Sequence, residues 1–270
     1  RGMISGVYKY LRKTKVIGGK PFCPPLNHLN LFNTTSERVS GYAPDIIVTC
    51  GRELKDMLSA FDNESYYVTG PSFRYNYLRK YVDDNHFSEN SRLNHRIVSI
   101  VLPQSILISK HVLVSTKKAV RNAMAGGWEI KVKLHPTLTE SDVAMLLNEY
   151  DMQHECIEVT YDDMESLLTK SSAVLISASG ATIEAVCLGI PVVAVGMPIG
   201  LDLNMLDYLP SSMWKLAFTD VDIDLVLNEW ALSHPLPYEE RREIGRKVFI
   251  DIFGEDTNSS LQIYLELLEG

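Results

Sequence analysis

The chain has 270 residues, enough for one large domain or two small ones. Hydrophobic residues make up 46% and charged residues 22%, which excludes a disordered, collagen-like or coiled-coil chain. The formal net charge of -8 argues against binding to nucleic acid, and no apolar stretch reaches the roughly 18 residues needed to span a bilayer.

The four cysteines, Cys23, Cys50, Cys156 and Cys187, are far apart and form no CxxC pair. A disulfide framework or a zinc site is therefore not expected, and a cytoplasmic location fits best. Cys50 and Cys187 lie in apolar segments and are predicted to be buried. The first twenty residues hold six basic side chains and no acid. This segment is interpreted as a solvated face or loop. The alternative is contact with a phosphate-rich acceptor or with an anionic surface at the inner face of a membrane.

In chain order, residues 18–44 are rich in Gly, Pro, Asn and Ser, which predicts a long irregular connection. Regular structure should follow, and the polar stretch 83–95 is the candidate linker. The predicted elements before the linker are strands over 45–50 and 66–69 and helices over 53–61 and 73–82.

After the linker, apolar strands alternate with helical patterns. The predicted strands are 97–102, 129–134, 157–160, 173–177, 191–196 and 215–218. The predicted helices are 106–125, 140–150 with Thr139 as its N-cap, 162–170, 182–188, 221–232, 238–253 and 257–268. Because the strands are continuous apolar runs, they predict an α/β fold: a Rossmann-like parallel sheet with helices on both faces.

The strand over 129–134 ends in a pattern that suits phosphate binding. His135 and Pro136 follow it, and the proline favours an extended backbone at His135. Lys133 is expected on the same face as His135, since side chains in a strand alternate. An imidazole at this edge can donate a hydrogen bond to a phosphate oxygen. The alternative is that His135 only caps the strand.

The strand over 173–177 runs into a turn of small and hydroxylated residues. Such a turn lets a phosphate approach backbone N–H groups and hydroxyls at the helix start, although simple N-capping is the alternative. A carboxylate in the following helix could accept hydrogen bonds from ribose hydroxyls. The candidate binding residues of this segment are Ser177, Ser179, Gly180, Ala181, Thr182 and Glu184.

Other polar residues are given weaker roles. Residues 102–105 leave the strand over 97–102 and could also face a ligand, whereas His111 is expected to be structural or exposed. Asp220 and Asp222 mimic a metal-binding DxD pair, but they stand at a helix start, where capping is the better interpretation. No metal ligand and no cofactor are assigned.

Three segments together resemble a known family: 133–136 (KLHP), 177–185 (SASGATIEA) and 188–193 (LGIPVV). They are similar to the nucleotide-binding C-terminal domain of GT-B glycosyltransferases. The similarity is strongest to bacterial HP-motif enzymes of surface polysaccharides, namely capsule polysialyltransferases and Kdo transferases. CDP-glycerol glycerophosphotransferases and UDP-N-acetylglucosamine 2-epimerases share much of the pattern. The resemblance covers roughly residues 97–200.

This resemblance implies a metal-independent sugar transfer from a nucleotide-sugar donor to a bacterial surface or capsular glycan. A CMP-linked donor, carrying sialic acid or Kdo, is favoured. His135 would be the catalytic group, which stabilises the leaving diphosphate or monophosphate as it develops charge. Ser177 and Ser179 would hold the nucleotide phosphate together with His135. Glu184 would bind the ribose. The alternatives are glycerophosphate transfer, use of a UDP-sugar, 2-epimerisation, or a non-catalytic nucleotide-binding module.

The resemblance also implies a domain organisation. Residues 1–95 would be the remnant of an acceptor-side domain with its linker, 96–235 the nucleotide-sugar-binding domain, and 236–270 helices that pack back towards the N-terminal part. The acidic motif that supplies the general base in HP-motif sialyltransferases is not found in the sequence. The chain is therefore expected to be part of a longer enzyme and to bind nucleotide without turnover.

Overall fold

The structure is a computed structural model of the chain. It describes residues 16–20, 33–62, 64–70, 75–83, 96–149, 157–197, 204–206, 208–254, 262 and 265–267. The chain divides into two compact units, unit one (Arg1–Asn76 and Phe249–Gly270) and unit two (Tyr77–Val248). The predicted domain boundaries at 95 and 235 stay predictions, and the division between compact units falls at different places. Most of the predicted linker and the basic segment 1–15 lie outside the described residues.

Unit one contains a three-stranded parallel sheet in the order β1-β2-β3. The strands are β1 (Ile17–Lys20), β2 (Ile46–Cys50) and β3 (Tyr66–Gly70). Helix α1 (Thr35–Val39) precedes β2, and α2 (Gly51–Phe61) joins β2 to β3. All five residues of the central strand β2 are buried, as its apolar run predicts.

The prediction that 18–44 is wholly irregular was wrong at β1 and at α1. The two glycines of β1 have low strand propensity, but parallel pairing with β2 holds them in place. A Cβ on Gly18 would lie 2.8 Å from Pro44 Cγ, so the glycine permits this close approach. Helix α1 begins at a capping box formed by Thr34 and Glu37.

The turn from β2 into α2 requires a glycine. Gly51 has φ +70, and a Cβ there would lie 1.9 Å from the carbonyl oxygen of Ile252. Ile252 belongs to the long helix α9 (Tyr238–Phe253), of which Phe249–Phe253 falls in unit one. The Phe253 ring also packs on Tyr75 with centroids 4.5 Å apart. Any side chain at position 51 would therefore be both strained and in collision with backbone.

A buried carboxylate organises the polar part of unit one. Asp62, which is 6% exposed, accepts from Arg38 Nη1 at 2.9 Å to each oxygen. It also accepts from the Ser65 hydroxyl at 2.8 Å and the Tyr67 hydroxyl at 2.9 Å. Burial opposes ionisation, but these bonds, the Glu64 N–H and the Arg38 charge lower the pKa of Asp62. Burial and the neighbouring Asp62 raise the pKa of Tyr67 to about 12.

Unit two contains a six-stranded, all-parallel sheet in the order β6-β5-β4-β7-β8-β9. Helix α3 (Asn76–Asp83) precedes it. The strands are β4 (Ile97–Val101), β5 (Glu129–Lys133), β6 (Ile157–Thr160), β7 (Ser171–Ile176), β8 (Val192–Val195) and β9 (Trp214–Ala217). The intervening helices are α4 (Ile106–Ala125), α5 (Glu140–Glu149), α6 (Met164–Leu168), α7 (Ala181–Cys187) and α8 (Asp220–Leu225).

The predicted Rossmann-like α/β fold is confirmed in unit two, because this strand order is the doubly wound order 3-2-1-4-5-6. Every residue of β4 and of β8 is buried, which explains why these strands are apolar apart from the buried Ser99 in β4. The core continues into α4 through Val112, Leu113 and Val120 and into α8 through Ile223. The predicted helix over 221–232 is divided, since a π-helical turn, Val226–Ala231, follows α8.

Two smaller predictions can also be compared with the structure. Cys50 and Cys187 are buried free thiols, as predicted, while Cys23 and Cys156 lie outside the described residues. The predicted helix over 257–268 is described only at 262 and 265–267, which are helical. Within the described part of the chain, no helix is both long and apolar enough to cross a membrane.

Candidate functional site

The candidate site lies at the carboxyl edge of the unit-two sheet, where the strand order reverses between β4 and β7. Ligands of open α/β sheets bind in the crevice at such a point. The β4 and β5 ends are adjacent, because the Leu102 N–H donates to the Lys133 carbonyl at 2.9 Å. With about 4.8 Å between neighbouring strands, the ends of β5 and β7 stand about 10 Å apart on either side of β4. Both polar segments predicted from the sequence therefore leave the sheet at the same edge, on either side of β4.

The β5 exit presents His135 in a local turn. The Thr137 N–H donates to His135 Nδ1 at 3.3 Å, and Thr137 Oγ1 is 2.8 Å from the same nitrogen. The Leu138 N–H closes the turn on the His135 carbonyl at 2.9 Å. An Nδ1 that accepts from an N–H carries no proton, so the neutral ring is assigned its proton at Nε2. His135 is half-buried and Pro136 is exposed.

Lys133, the last residue of β5, is half-buried. Its Nζ donates to the Leu134 carbonyl at 3.3 Å. The N–H of Ser166 lowers the pKa of Asp163, and the charge of Lys133 adds to that effect. The Lys133 charge therefore interacts with Asp163 next to the β6 exit, on the side of β5 away from β4.

The β7 exit is a tight turn with an orphaned hydroxyl. Ser177 is 1% exposed, and its Oγ has no hydrogen-bond partner among the described residues. Ala178 has φ +50, in the left-handed region that few non-glycine residues adopt. Its N–H donates to Asn204 Oδ1 at 3.0 Å. A buried hydroxyl without a partner is uncommon and marks a position where a ligand could complete the hydrogen bonding.

The next residues close the start of α7 on themselves. Ser179 Oγ accepts from the Ala181 N–H at 3.3 Å, and Thr182 Oγ1 donates to the Ser179 carbonyl at 2.9 Å. Gly180 is the N-cap and has no side-chain cap bond. The fully buried Thr182 hydroxyl therefore stabilises the turn, and Ser179 and Gly180, both half-buried, are the members of the segment nearest to solvent.

Asn204 is a part of this site that the sequence did not reveal. It is buried, and besides accepting from Ala178 it donates from Nδ2 to the Val195 carbonyl at 3.5 Å. The side chain thus links the β7 exit to the end of β8. It stands 26 residues away from Ala178 in the sequence, and no local pattern distinguishes it from an ordinary loop asparagine.

Glu184, in the first turn of α7, is 5% exposed. Its Oε2 accepts a hydrogen bond from the Tyr77 hydroxyl, which comes from α3, 107 residues earlier. Burial, reinforced by the nearby Glu184 carboxylate, raises the pKa of the Cys187 thiol. Tyr77 was also missed, because an aromatic residue in an amphipathic helix is usually part of a core.

The remaining candidates have structural partners. His111 Nε2 is 3.0 Å from the Gly196 carbonyl, which agrees with the structural role expected for it. At the β4 exit, the Ser109 hydroxyl donates to the Pro103 carbonyl at 3.0 Å. Asp222 is part of the N-terminal cap of α8, where its N–H donates to Thr219 Oγ1 at 3.1 Å. No group of three or more metal-ligating side chains occurs within the residues that the structure describes.

No protein-family model matches the chain, and no curated protein sequence matches it. Solved structures do. A co-structure of Staphylococcus aureus MnaA with UDP is 15% identical in sequence and superposes with a TM-score of 0.62. The alignment covers 100% of this chain and 79% of MnaA. A Neisseria meningitidis UDP-GlcNAc 2-epimerase bound to UDP-GlcNAc shares 15% identity with a TM-score of 0.59 and covers 98% and 72%.

A mutant of S. aureus TarM, in complex with fondaparinux, α-GlcNAc-glycerol and UDP, shares 13% identity with a TM-score of 0.57. The alignment covers 98% of this chain and 54% of TarM. At such low identities the likeness establishes the fold alone. The chain has the Rossmann-like α/β fold of GT-B glycosyltransferases and UDP-GlcNAc 2-epimerases.

Proposed function

We propose that the crevice between β4 and β7 binds a nucleotide sugar and that the protein acts as a GT-B-type glycosyltransferase. The observation that carries the proposal is the pairing of two polar strand exits at the switch point: His135 after β5 and the turn at Ser177 after β7. A nucleotide diphosphate has several acceptor oxygens, which suit an Nε2–H donor on one side and hydroxyl and N–H donors on the other.

A UDP-sugar is the favoured donor. The sequence favoured a CMP-linked sialic acid or Kdo donor, but the comparisons give that choice no support. Three of the similar structures contain UDP or UDP-GlcNAc. Those ligands belong to proteins of low identity, so the donor remains part of the proposal. A surface glycan is the proposed acceptor.

In this proposal, His135 stabilises the diphosphate as the bond to the sugar breaks. Negative charge grows on the phosphate oxygens during that step, and a donor aimed at those oxygens lowers the barrier. Ser177 and the backbone of the β7 exit hold the same phosphates in place. Glu184 accepts hydrogen bonds from the ribose hydroxyls. The proposal needs no metal ion.

Two serines at opposite ends of β7 allow a matched test. Ser172 Oγ and Ser177 Oγ both lack a hydrogen-bond partner among the described residues, but Ser172 is near the amino end of the strand and Ser177 follows its carboxyl end. Calorimetric titration with UDP should show about tenfold weaker binding for Ser177→Ala, the effect of losing one hydrogen bond to a charged group. Ser172→Ala should bind UDP as the unaltered chain does. Equal affinities of the two variants would contradict the phosphate role of Ser177.

A panel of CMP, CDP, UDP and GDP identifies the donor nucleotide. Binding to the folded state raises the melting temperature by mass action. We expect the largest shift with UDP, and a shift with CMP alone would restore the sialic acid or Kdo donor.

A second candidate reaction is 2-epimerisation of UDP-GlcNAc. The alignment with this chain spans 72% of the N. meningitidis 2-epimerase but only 54% of TarM. Incubation with UDP-GlcNAc distinguishes the two reactions. An epimerase forms the C2 epimer with UDP still attached and without an acceptor, whereas a glycosyltransferase releases UDP when a glycan acceptor is added.

A further inference from the structure

Helix α3 carries two tyrosines, one turn apart, that each donate to a glutamate. The Tyr77 hydroxyl donates to Glu184 Oε2 at the start of α7. The Tyr81 hydroxyl donates to Glu165 Oε1 at 2.7 Å, and Glu165 lies in the first turn of α6. Because residues i and i+4 lie on one face of a helix, Tyr77 and Tyr81 both extend from the same face of α3. Only one of the two glutamates, Glu184, belongs to the candidate site.

The hydrogen bond from Tyr77 restrains the Glu184 carboxylate. A glutamate side chain has several rotatable torsions, and a buried carboxylate is costly unless it is hydrogen-bonded. A hydroxyl that donates to a carboxylate forms a charge-assisted bond, which is stronger than a neutral one. With Glu184 only 5% exposed, this bond fixes the orientation of the carboxylate before any ligand arrives.

Helix α3 is itself held in place one turn further along. Tyr81 and the ammonium group of Lys80 both contact the Glu165 carboxylate. These contacts lower the pKa of Glu165, the Lys80 bond first and the Tyr81 bond second, so the carboxylate remains ionised. The second attachment restricts rotation of α3 and therefore restricts where the Tyr77 hydroxyl can lie.

We infer that Tyr77 is a positioning residue that orients Glu184 to accept hydrogen bonds from ribose, so that the site prefers ribonucleotides to 2′-deoxyribonucleotides. This inference rests on the proposed function. An ionised carboxylate offers about four acceptor positions, so the bond from Tyr77 is compatible with further bonds to sugar hydroxyls. Tyr77 itself touches no reacting atom and acts through Glu184.

The test compares the affinities of UDP and 2′-deoxy-UDP in calorimetric titrations. The unaltered chain should bind UDP about tenfold more tightly, the value of one hydrogen bond to a charged group. Tyr77→Phe should reduce that ratio to about threefold or less, mainly by weakening UDP, because the carboxylate is no longer held in the required orientation. Tyr81→Phe removes the equivalent bond outside the site. The contact of Lys80 with Glu165 still attaches α3 in this variant, so the ratio should stay unchanged.

A rescue variant separates positioning from packing. With 4-aminophenylalanine at position 77, the ring and a donor group are both kept, and the ratio should return towards that of the unaltered chain. If Tyr77→Phe does not fold, the 4-aminophenylalanine variant is measured in its place. Its ratio of UDP to 2′-deoxy-UDP affinity must then equal that of the unaltered chain. A ratio that Tyr77→Phe leaves intact, or that Tyr81→Phe lowers as much, would overturn the inference.

Glu184→Gln distinguishes failure of the inference from failure of the proposed function. If the unaltered chain does not bind UDP, or if Glu184→Gln keeps the full preference for ribose, then the assignment of Glu184 is wrong and the role of Tyr77 falls with it. If Glu184→Gln removes the preference and Tyr77→Phe does not, the proposed function stands and the positioning role alone is refuted.

Discussion

The two units use their buried polar groups in different ways. In unit one, Asp62 gathers hydrogen bonds from Arg38, Ser65 and Tyr67, and all of these groups stabilise one another. In unit two, the polar groups at the carboxyl edge of the sheet include Ser177, whose hydroxyl has no partner among the described residues. Completed hydrogen bonding around Asp62 indicates a role in stability. An unpartnered hydroxyl at the carboxyl edge of a parallel sheet, where ligands of such sheets bind, indicates a place for a ligand.

This comparison predicts that changes in unit one alter stability and that changes at the sheet edge of unit two alter binding. The two effects can be measured separately. All three tryptophans, Trp128, Trp214 and Trp230, lie in unit two, so their fluorescence reports on that unit. Hydrogen exchange of the β2 amides reports on unit one.

The largest effect is expected for Gly51→Ala. The new Cβ would collide with the Ile252 carbonyl and force an alanine to adopt φ +70. Overpacking costs about 1–3 kcal/mol and left-handed backbone about 1–2 kcal/mol, so β2 should lose about 3 kcal/mol or more of protection. Gly254→Ala is the control, because Gly254 has φ +82 but no atom within 4 Å of the added Cβ. Its cost should be limited to about 1 kcal/mol. Equal costs would show that the collision is relieved.

Asp62→Asn should destabilise unit one by about 2 kcal/mol at neutral pH, since Arg38 would lose a buried partner. The folded-state pKa of Asp62 is lowered, so its contribution is present above the unfolded value of about 3.9 and is lost as the pH falls through the lower folded value. The difference between the variant and the unaltered chain should therefore shrink below about pH 4.

The control for Asp62→Asn is Asp56→Asn, whose exposed pair with Arg52 is 3.8 Å long. We expect less than about 0.5 kcal/mol from it at any pH. Hydrogen exchange of the β2 amides that is equally fast in Asp62→Asn and Asp56→Asn would show that the buried bonds of Asp62 stabilise unit one no more than a surface ion pair does.

Asn204→Ala tests whether the β7 exit depends on distant residues. Loss of its amide leaves the Ala178 N–H without that acceptor, which should cost about 1–2 kcal/mol in urea unfolding followed by tryptophan fluorescence. UDP affinity should fall as well. Asn122→Ala, which removes an exposed amide bonded to Asp224, should change neither quantity. Unaltered UDP binding in Asn204→Ala would mean that the turn keeps its shape without this bond.

His135→Ala is expected to have the smallest effect on stability, below about 0.5 kcal/mol, because the Nδ1 bonds to Thr137 that it removes are exposed to solvent. UDP binding should nevertheless weaken about tenfold if Nε2 donates to a phosphate. The same urea and calorimetric measurements provide both values. A variant that is destabilised but binds UDP normally would assign His135 to the fold and not to the site.

Much of unit two could be predicted from the sequence because its signals are local. The apolar runs of β4 and β8 and the amphipathic pattern of α4 gave element bounds within a residue of those observed. His135 and Ser177 could be identified as candidates because they stand where predicted strands end. In unit one, the Gly-rich strand β1 was missed, since only its pairing with β2 makes it a strand.

The sequence by itself determined the alternation of buried strands and helices and the polar residues at the strand ends, because periodicity and turn chemistry act over a few neighbouring residues. Only the tertiary structure decided that the β5 and β7 exits lie on either side of β4, that Asn204 bonds to Ala178 and that Tyr77 bonds to Glu184. Strand order and contacts between residues 26 and 107 positions apart depend on how the whole core packs, and no short stretch of sequence contains that information.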